Sequence, residues 1–174
     1  MTSDFFLPEA DKWRSEAWAM IKERQDLSFV IETKREHRFF KALPDDWEDG
    51  YENVTILCSV ENQRRADDRI PAFLKLPVRH KGILCEPLLE KLVLDAYLKT
   101  GEIAQVLCGG EEGADARVCD FAWVLELMNQ CVRCGVTFRF LRTGTFFRKG
   151  NRTYRIAEEE QEEQARRAGV DYTP

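Results

Sequence analysis

Short apolar runs separated by longer amphipathic stretches make up the hydrophobic pattern of this chain. Five of the runs are rich in β-branched and aromatic residues and do not alternate strictly with polar residues. This pattern is typical of strands buried on both faces of a parallel sheet. The predicted strands are Leu27–Thr33, Val54–Ser59, Gly82–Cys85, Ile103–Cys108 and Val136–Leu141.

The stretches between these runs predict helices. The first, Pro8–Arg24, opens with a proline that suits a first helical turn. Within it, Trp13, Ala17, Met20 and Ile21 recur at the spacing of one buried helix face.

Capping and turn residues delimit the later elements. Asp120 can cap a helix and Gly135 is a natural left-handed stop, so a helix is predicted between them. Lys149, Gly150 and Asn151 predict the turn of a hairpin. The further predicted helices are His37–Leu43, Glu61–Leu76, Leu88–Leu98, Asp120–Cys134 and a polar Ala157–Ala168, and the predicted hairpin strands are Phe146–Arg148 and Arg152–Ile156.

Strands that alternate with helices predict an α/β fold of repeated βα units, forming a partial TIM-like (β/α) barrel or an open parallel sheet. The first helix begins after only seven residues, so the strand that should precede it and further N-terminal units are expected to be missing. Met1 is then either an internal methionine or the start of a remnant or designed fragment. Residues 1–145 are predicted to form the partial barrel, and residues 146–174 a hairpin and polar helix packed on it or extending from the same domain.

Composition narrows the class of protein. The 174 residues include 44% hydrophobic and 33% charged positions, which is typical of a globular domain and excludes extensive disorder. No apolar run approaches the roughly 20 residues of a membrane span, and the N-terminus lacks the pattern of an export signal, so a cytoplasmic location without membrane contact is expected. The net charge of −5 argues against a general nucleic-acid binder but leaves local basic patches open.

The six cysteines are not arranged as a disulfide framework. Cys58, Cys85 and Cys108 lie inside predicted strands, where a free thiol behaves as a small hydrophobic group. Cys131 and Cys134 have the spacing of a metal or redox pair, but they lie on an amphipathic helix with no second pair and no nearby histidine. Core packing is the favoured interpretation, and no metal ligand is predicted.

Polar residues gather directly after the predicted strands, and the carboxyl ends of parallel strands meet at one mouth of the fold. A charged small molecule is expected to bind there, unless these residues only cap helices and neutralise one another. Gly109 and Gly110 permit close approach of a ligand or form a plain turn, and they lack dinucleotide-fingerprint spacing. No catalytic residue is assigned. The candidate binding residues are Thr33, Lys34, Ser59, Glu61, Asn62, Glu86, Gly109, Gly110, Glu111 and Arg117.

A second cluster near the C-terminus is basic and interleaved with aromatic residues. Such a pattern can bind phosphates or single-stranded nucleic acid. The acidic segment AEEEQEEQ follows directly, and neutralisation by that segment is the alternative interpretation. The basic residues are Arg139, Arg142, Arg148, Lys149, Arg152 and Arg155.

Several motifs, in order, resemble one family. TSDFF, ETKREHRF, NVTILCSVENQ, CEPLLEKL and GGEEGADARVCDFAWV, followed by GVTFRF, are similar to the later part of domain-of-unknown-function family 5131. That family is associated with phages and bacteria, and its members resemble radical S-adenosylmethionine (SAM) enzymes. The resemblance spans residues 2–156.

The resemblance implies a partial TIM-like barrel whose full-length relatives hold a [4Fe–4S] cluster on an N-terminal C-x3-C-x2-C loop and cleave SAM to a radical. This chain has no such motif, so the radical step is not expected from it alone. The mouth residues would then bind SAM or a substrate. The resemblance implies that Thr33, Ser59 and Asn62 donate hydrogen bonds to the ligand and that Glu61, Glu86 and Glu111 accept them. Lys34 and Arg117 would bind a carboxylate or phosphate of the ligand.

The sequence departs from the family pattern at its last predicted strand. Family members have F-K-Q where this chain has Phe140, Leu141 and Arg142, so a lysine expected to face the mouth is lost. Enzymatic activity is left open. The alternatives are a fragment of a radical SAM-like enzyme, a non-catalytic module that binds nucleic acid or a protein partner, and a degenerate fragment.

Overall fold

The computed structural model describes residues 4–174, and its main feature is an open five-stranded parallel sheet. The TSDFF motif, which begins at Thr2, lies partly outside the described residues. The strands are β1 (Phe29–Thr33), β2 (Val54–Ser59), β3 (His80–Cys85), β4 (Ile103–Gly109), β5 (Cys119–Asp120), β6 (Thr137–Arg142), β7 (Phe146–Lys149) and β8 (Arg152–Arg155).

Helices lie before, between and after the strands. They are α1 (Asp11–Glu23), α2 (Gln63–Leu74), α3 (Asp95–Leu98), α4 (Phe121–Cys134) and α5 (Gln161–Arg167), with 3-10 turns at Pro8–Ala10, Glu36–Lys41 and Glu158–Glu160. The predicted helix Leu88–Leu98 is therefore helical only in its last turn. None of the helices described within residues 4–174 is long and apolar enough to cross a membrane.

The main sheet has the order β1-β2-β3-β4-β6, and every neighbouring pair in it is parallel. The predicted α/β class and the open-sheet alternative are thereby confirmed. A second sheet has the order β5-β7-β8, with β5 parallel to β7 and β7 antiparallel to β8. The two-residue strand β5 was not predicted, because two residues carry no periodicity.

Side chains alternate between two unlike faces of the main sheet. Ile31, Ile56 and Ile83 lie on the helix-covered face and belong to the main apolar core. Leu57 points to the opposite face and is nevertheless 0% exposed. A Cβ atom at Gly82 would lie 2.5 Å from the Leu57 Cδ2 atom, so the leucine side chain fills the space above the glycine.

The buried face of α1 differs from the prediction. Trp13 is 56% exposed and Met20 is 61% exposed, whereas Ile21 is buried as predicted. Trp18 occupies the buried face, because its indole N–H donates to the Ala42 carbonyl at 2.7 Å and its ring centroid lies 5.0 Å from the ring centroid of Trp47. Apolar spacing along one helix could not reveal these tertiary partners.

The ends of α4 follow the prediction. Asp120 accepts a hydrogen bond from the Ala122 backbone N–H at 2.8 Å, and Gly135 ends the helix with a φ of 65°. The α2 helix continues past Pro71 to Leu74.

The C-terminal residues cover one edge of the main sheet. The backbones of Phe138 and Tyr172 exchange hydrogen bonds of 2.9 and 3.0 Å, and the Asp171 carboxylate accepts from the Phe140 N–H at 2.9 Å. The β6 edge is therefore protected from further strand pairing.

Candidate functional site

A cavity of about 390 Å³ lies at the carboxyl ends of the first three strands of the main sheet. Ligand sites of parallel α/β folds lie at this end of the strands. Four of the predicted binding residues line it, namely Thr33, Lys34, Ser59 and Glu86. The other lining residues are Asp4, Glu32, Arg35 and Leu84.

A somewhat larger cavity, about 500 Å³, lies beside α1. It shares no lining residue with the strand-end cavity, and charged groups on its wall pair with one another, as Arg14 does with Asp11 and Lys22 with Asp46. We therefore regard the strand-end cavity as the candidate site.

Asp4 ties the N-terminal segment to the end of β1. Its carboxylate accepts hydrogen bonds from the Phe6 N–H at 2.9 Å, the Thr33 hydroxyl at 3.0 Å, the Lys34 N–H at 2.9 Å and the Arg35 guanidinium at 2.9 Å. Burial alone would raise the pKa of Asp4, but these donors hold it below its ordinary value. Sequence reasoning missed this residue, because a single acid in a loop is informative only after the loop folds against β1.

Glu86 is a half-buried carboxyl group just after β3. Its Oε1 atom lies 2.8 Å from the Arg142 Nε atom, but the two groups are not aligned for a hydrogen bond. Burial raises the pKa of Glu86 against the attraction of Arg142, and the charges of Glu32 and Glu112 raise it further. The raised pKa favours the protonated form of Glu86, and a cation bound beside it would favour the charged form.

Lys34 and Glu61 form a salt bridge of 2.5 Å, and Arg69 contacts the other Glu61 oxygen at 3.1 Å. Arg69 also donates to the Ser59 carbonyl at 2.6 Å. Burial would raise the pKa of Glu61, but Lys34 and Arg69 lower it. Glu61 is thus neutralised within the protein and supports the cavity wall without lining it.

Three other predicted residues have local partners away from the cavity. Asn62 caps α2 by accepting from the Arg65 N–H at 2.9 Å. Glu111 receives two hydrogen bonds from the Arg117 guanidinium, of 2.6 and 2.7 Å, and one from its backbone N–H. The Arg117 contacts lower the pKa of Glu111 to about 2. For these positions the structure favours the capping and neutralising roles.

Gly109 and Gly110 are crowded by the protein itself. A Cβ atom at Gly109 would lie 2.5 Å from the Glu86 Oε1 atom, and one at Gly110 would collide with the Thr143 carbonyl group. The space left by the missing side chains is therefore occupied by this chain's own atoms.

Five of the six cysteines are buried, and Cys134 is partly buried. Cys131 is fully buried in the core, which confirms the packing interpretation for that residue. Burial raises the pKa of the Cys58, Cys119 and Cys131 thiols to about 12. Across residues 4–174, no group of three or more His, Cys, Asp or Glu side chains is placed to hold a metal ion.

The six predicted basic residues fall into two groups. Arg139, Arg142 and Arg148 each lie within salt-bridge distance of a carboxylate. In the part of the chain that the structure describes, the remaining three form no salt bridge. These are Lys149, Arg152 and Arg155.

The fold and the cavity together define a parallel α/β protein with a charged site at the carboxyl ends of its strands. The chain belongs to the family described as Protein of unknown function (DUF5131), whose sequence model matches residues 1–171. The resemblance to that family is thereby confirmed. No curated protein matches the chain, and no solved structure matches it.

Proposed function

We propose that the strand-end cavity binds a small molecule with a cationic group, of the SAM type, and that this chain contributes ligand binding to the family's chemistry. The observation that carries the proposal is the pair of carboxylates, Glu32 and Glu86, on the wall of one cavity. The charge of Glu32 contributes to raising the pKa of Glu86, and a cation bound beside them would offset that repulsion.

Glu32 is the more available of the two carboxylates. It is exposed at the end of β1, and its side chain makes no hydrogen bond or salt bridge with any residue from 4 to 174. Glu86 is the less available carboxylate, because its Oε1 atom lies in a salt bridge of 2.8 Å with the Arg142 Nε atom. A sulfonium or ammonium group between them would gain from both charges.

The remaining walls suit the other parts of such a ligand. Ser59 brings a hydroxyl group, and Arg35 brings a cation that a ligand carboxylate can share with Asp4. When bound, SAM supplies a sulfonium centre that weakens its carbon–sulfur bonds. The residues of this chain do not fit the iron–sulfur cluster, and no step through a cluster is proposed.

Calorimetric titration with SAM and with S-adenosylhomocysteine, which lacks the sulfonium charge, tests the proposal. We expect SAM to bind more tightly, and Glu86→Gln and Glu32→Gln each to weaken SAM binding roughly tenfold, a change of about 1.4 kcal/mol. Both substitutions should affect S-adenosylhomocysteine less, because the lost interaction is with the positive charge.

Glu16→Gln is the matched control, because Glu16 is exposed on α1 and the substitution changes the net charge equally. Its SAM affinity should equal that of the unaltered chain. Equal affinities for the two ligands, or indifference of SAM binding to both cavity substitutions, would show that the proposal is wrong.

A further inference from the structure

We propose a second site, separate from the strand-end cavity, that holds an unstacked base of single-stranded nucleic acid between the β7–β8 hairpin and α5. The site is a cavity of about 340 Å³ with an apolar floor and a basic rim. Its lining residues are Phe121, Phe147, Lys149, Tyr154, Ile156, Gln164, Arg167 and Ala168.

Aromatic rings form the floor and one wall. The Phe121 and Phe147 ring centroids lie 5.7 Å apart with the rings inclined at 62°. Tyr154 is 44% exposed, although a large ring gains from burial. A planar base can cover this ring by stacking, which is the sequence-tolerant contact of single-strand binding proteins.

The register of the hairpin places cations beside the aromatic wall. Phe147 pairs with Tyr154 and Lys149 pairs with Arg152, and since side chains two residues apart share a face, all four lie on one side of the hairpin. The Lys149 Nζ atom lies 5.2 Å from the centroid of the Phe121 ring. A base on Tyr154 would therefore have its phosphate next to two cations.

The structure separates the acidic segment from this rim. Glu158, Glu159 and Glu162 line a different cavity, together with Glu112 and Arg142. Toward the aromatic cavity, α5 instead presents Gln164, Arg167 and Ala168, and Arg167 is held by Glu163 at 2.8 Å. The acidic segment therefore does not neutralise the whole basic cluster.

The chemistry of the cavity selects single strands over duplexes. An aromatic wall with a cationic rim recognises an exposed base and its phosphate, and the bases of a duplex are stacked on one another and not available. The overall charge of −5 makes general attraction to nucleic acid weak, so binding should depend on this local arrangement.

Fluorescence anisotropy with a labelled oligothymidylate of about 12 nucleotides, in about 50 mM salt, tests the inference on the full chain. Tyr154→Ala should weaken binding roughly 5- to 100-fold through loss of stacking, and Tyr154→Phe should retain most of the affinity. Lys149→Gln/Arg152→Gln should weaken binding and reduce the slope of log affinity against log salt by about 1.4.

Arg64→Gln/Arg65→Gln is the matched control, because it removes two exposed cations on α2 and changes the net charge equally. Its oligonucleotide affinity should equal that of the unaltered chain. The inference is overturned by equal losses in the two double variants, by an unaffected Tyr154→Ala variant, or by equal binding of duplex DNA. Competition by thymidine monophosphate as strong as that by the oligomer would instead assign the site to free nucleotides, and would also overturn it.

SAM titration of the Tyr154→Ala variant separates this inference from the proposed function. Unchanged SAM affinity is expected, because Tyr154 does not line the strand-end cavity. If Tyr154→Ala lost SAM binding together with oligonucleotide binding, the proposed second site would not be separate from the strand-end cavity, and the inference would be wrong.

Discussion

The mouth of the main sheet and the β7–β8 hairpin both concentrate charge, yet they use it in different ways. At the mouth, most charged groups are paired within the protein: Lys34 with Glu61, Arg35 with Asp4 and Arg142 with Glu112. On the hairpin, Lys149 and Arg152 face each other across the strands with no salt bridge to any described residue. Density of charge in a sequence therefore does not reveal whether that charge is available to a ligand.

Burial and chain separation explain the difference. The mouth is assembled from segments that are far apart in sequence, as Asp4 and Arg35 are, and they come together where side chains lose water. A charge that loses water must find a partner or change its protonation state. The hairpin is exposed, and water stabilises its cations without help from carboxylates.

The largest difference between the two regions is expected when an alanine replaces a glycine, Gly110 at the mouth or Gly150 in the hairpin turn. Gly110→Ala forces a Cβ atom into the Thr143 carbonyl, so we expect a loss of about 3 kcal/mol in the free energy of unfolding. Gly150→Ala meets no atom within 4 Å and incurs only the cost of a φ of 59°, which is about 1 kcal/mol. Urea unfolding monitored by circular dichroism would measure both. A larger loss at Gly150 than at Gly110 would contradict the comparison.

The second prediction removes an anion from the mouth. Asp4→Asn should reduce the free energy of unfolding at neutral pH by about 2 kcal/mol, because a charged acceptor of several hydrogen bonds is replaced. Asp26→Asn is the matched control: Asp26 is exposed and, within residues 4–174, its carboxylate pairs with Arg24 alone, so no measurable change is expected.

The same variant carries a pH dependence. The pKa of Asp4 in the folded protein lies below the ordinary value of 3.8, so its contribution to stability is present above that value and is lost as the pH falls through the folded-state pKa. The stability difference between the unaltered chain and Asp4→Asn should therefore shrink on acidification below about pH 4. A difference that grows in acid would contradict the assigned hydrogen bonds.

The smallest effect is expected on the hairpin. Lys149→Gln/Arg152→Gln should change the free energy of unfolding by no more than about 0.5 kcal/mol, because exposed cations without partners contribute little. The same measurement is a control for the nucleic-acid experiment. If the variant is folded and equally stable but binds the oligonucleotide more weakly, unfolding is not the cause of the weaker binding. A loss well above this range would mean that these cations support the fold.

Much of the fold was predictable from local pattern. All five strands of the main sheet overlap the predicted strands, and α4 is capped at the predicted Asp120 and Gly135. The buried face of α1 was not predictable from the sequence. Trp18 is buried there because its indole N–H donates to the Ala42 carbonyl and its ring packs against the ring of Trp47. The predicted face placed Trp13 in the core, and that placement was wrong.

The candidate site was predictable only as a region. Residues after consecutive parallel strands share one edge, so the convergence of Thr33, Ser59 and Glu86 follows from topology. The departure from the family pattern at the last strand, where Leu141 stands in place of a lysine, was expected to remove a cation from the mouth. The structure instead places the Arg142 guanidinium beside Glu86.

By itself, the sequence determined the order and type of the main elements, the α/β class and the membership of an uncharacterised family, because periodicity, capping residues and ordered motifs act over short distances along the chain. Only the tertiary structure decided which charges are neutralised, since pairing depends on which side chains lose water together. The folded chain places Asp4 on the wall of the strand-end cavity and pairs Glu111 with Arg117. It leaves Lys149 and Arg152 exposed beside Tyr154.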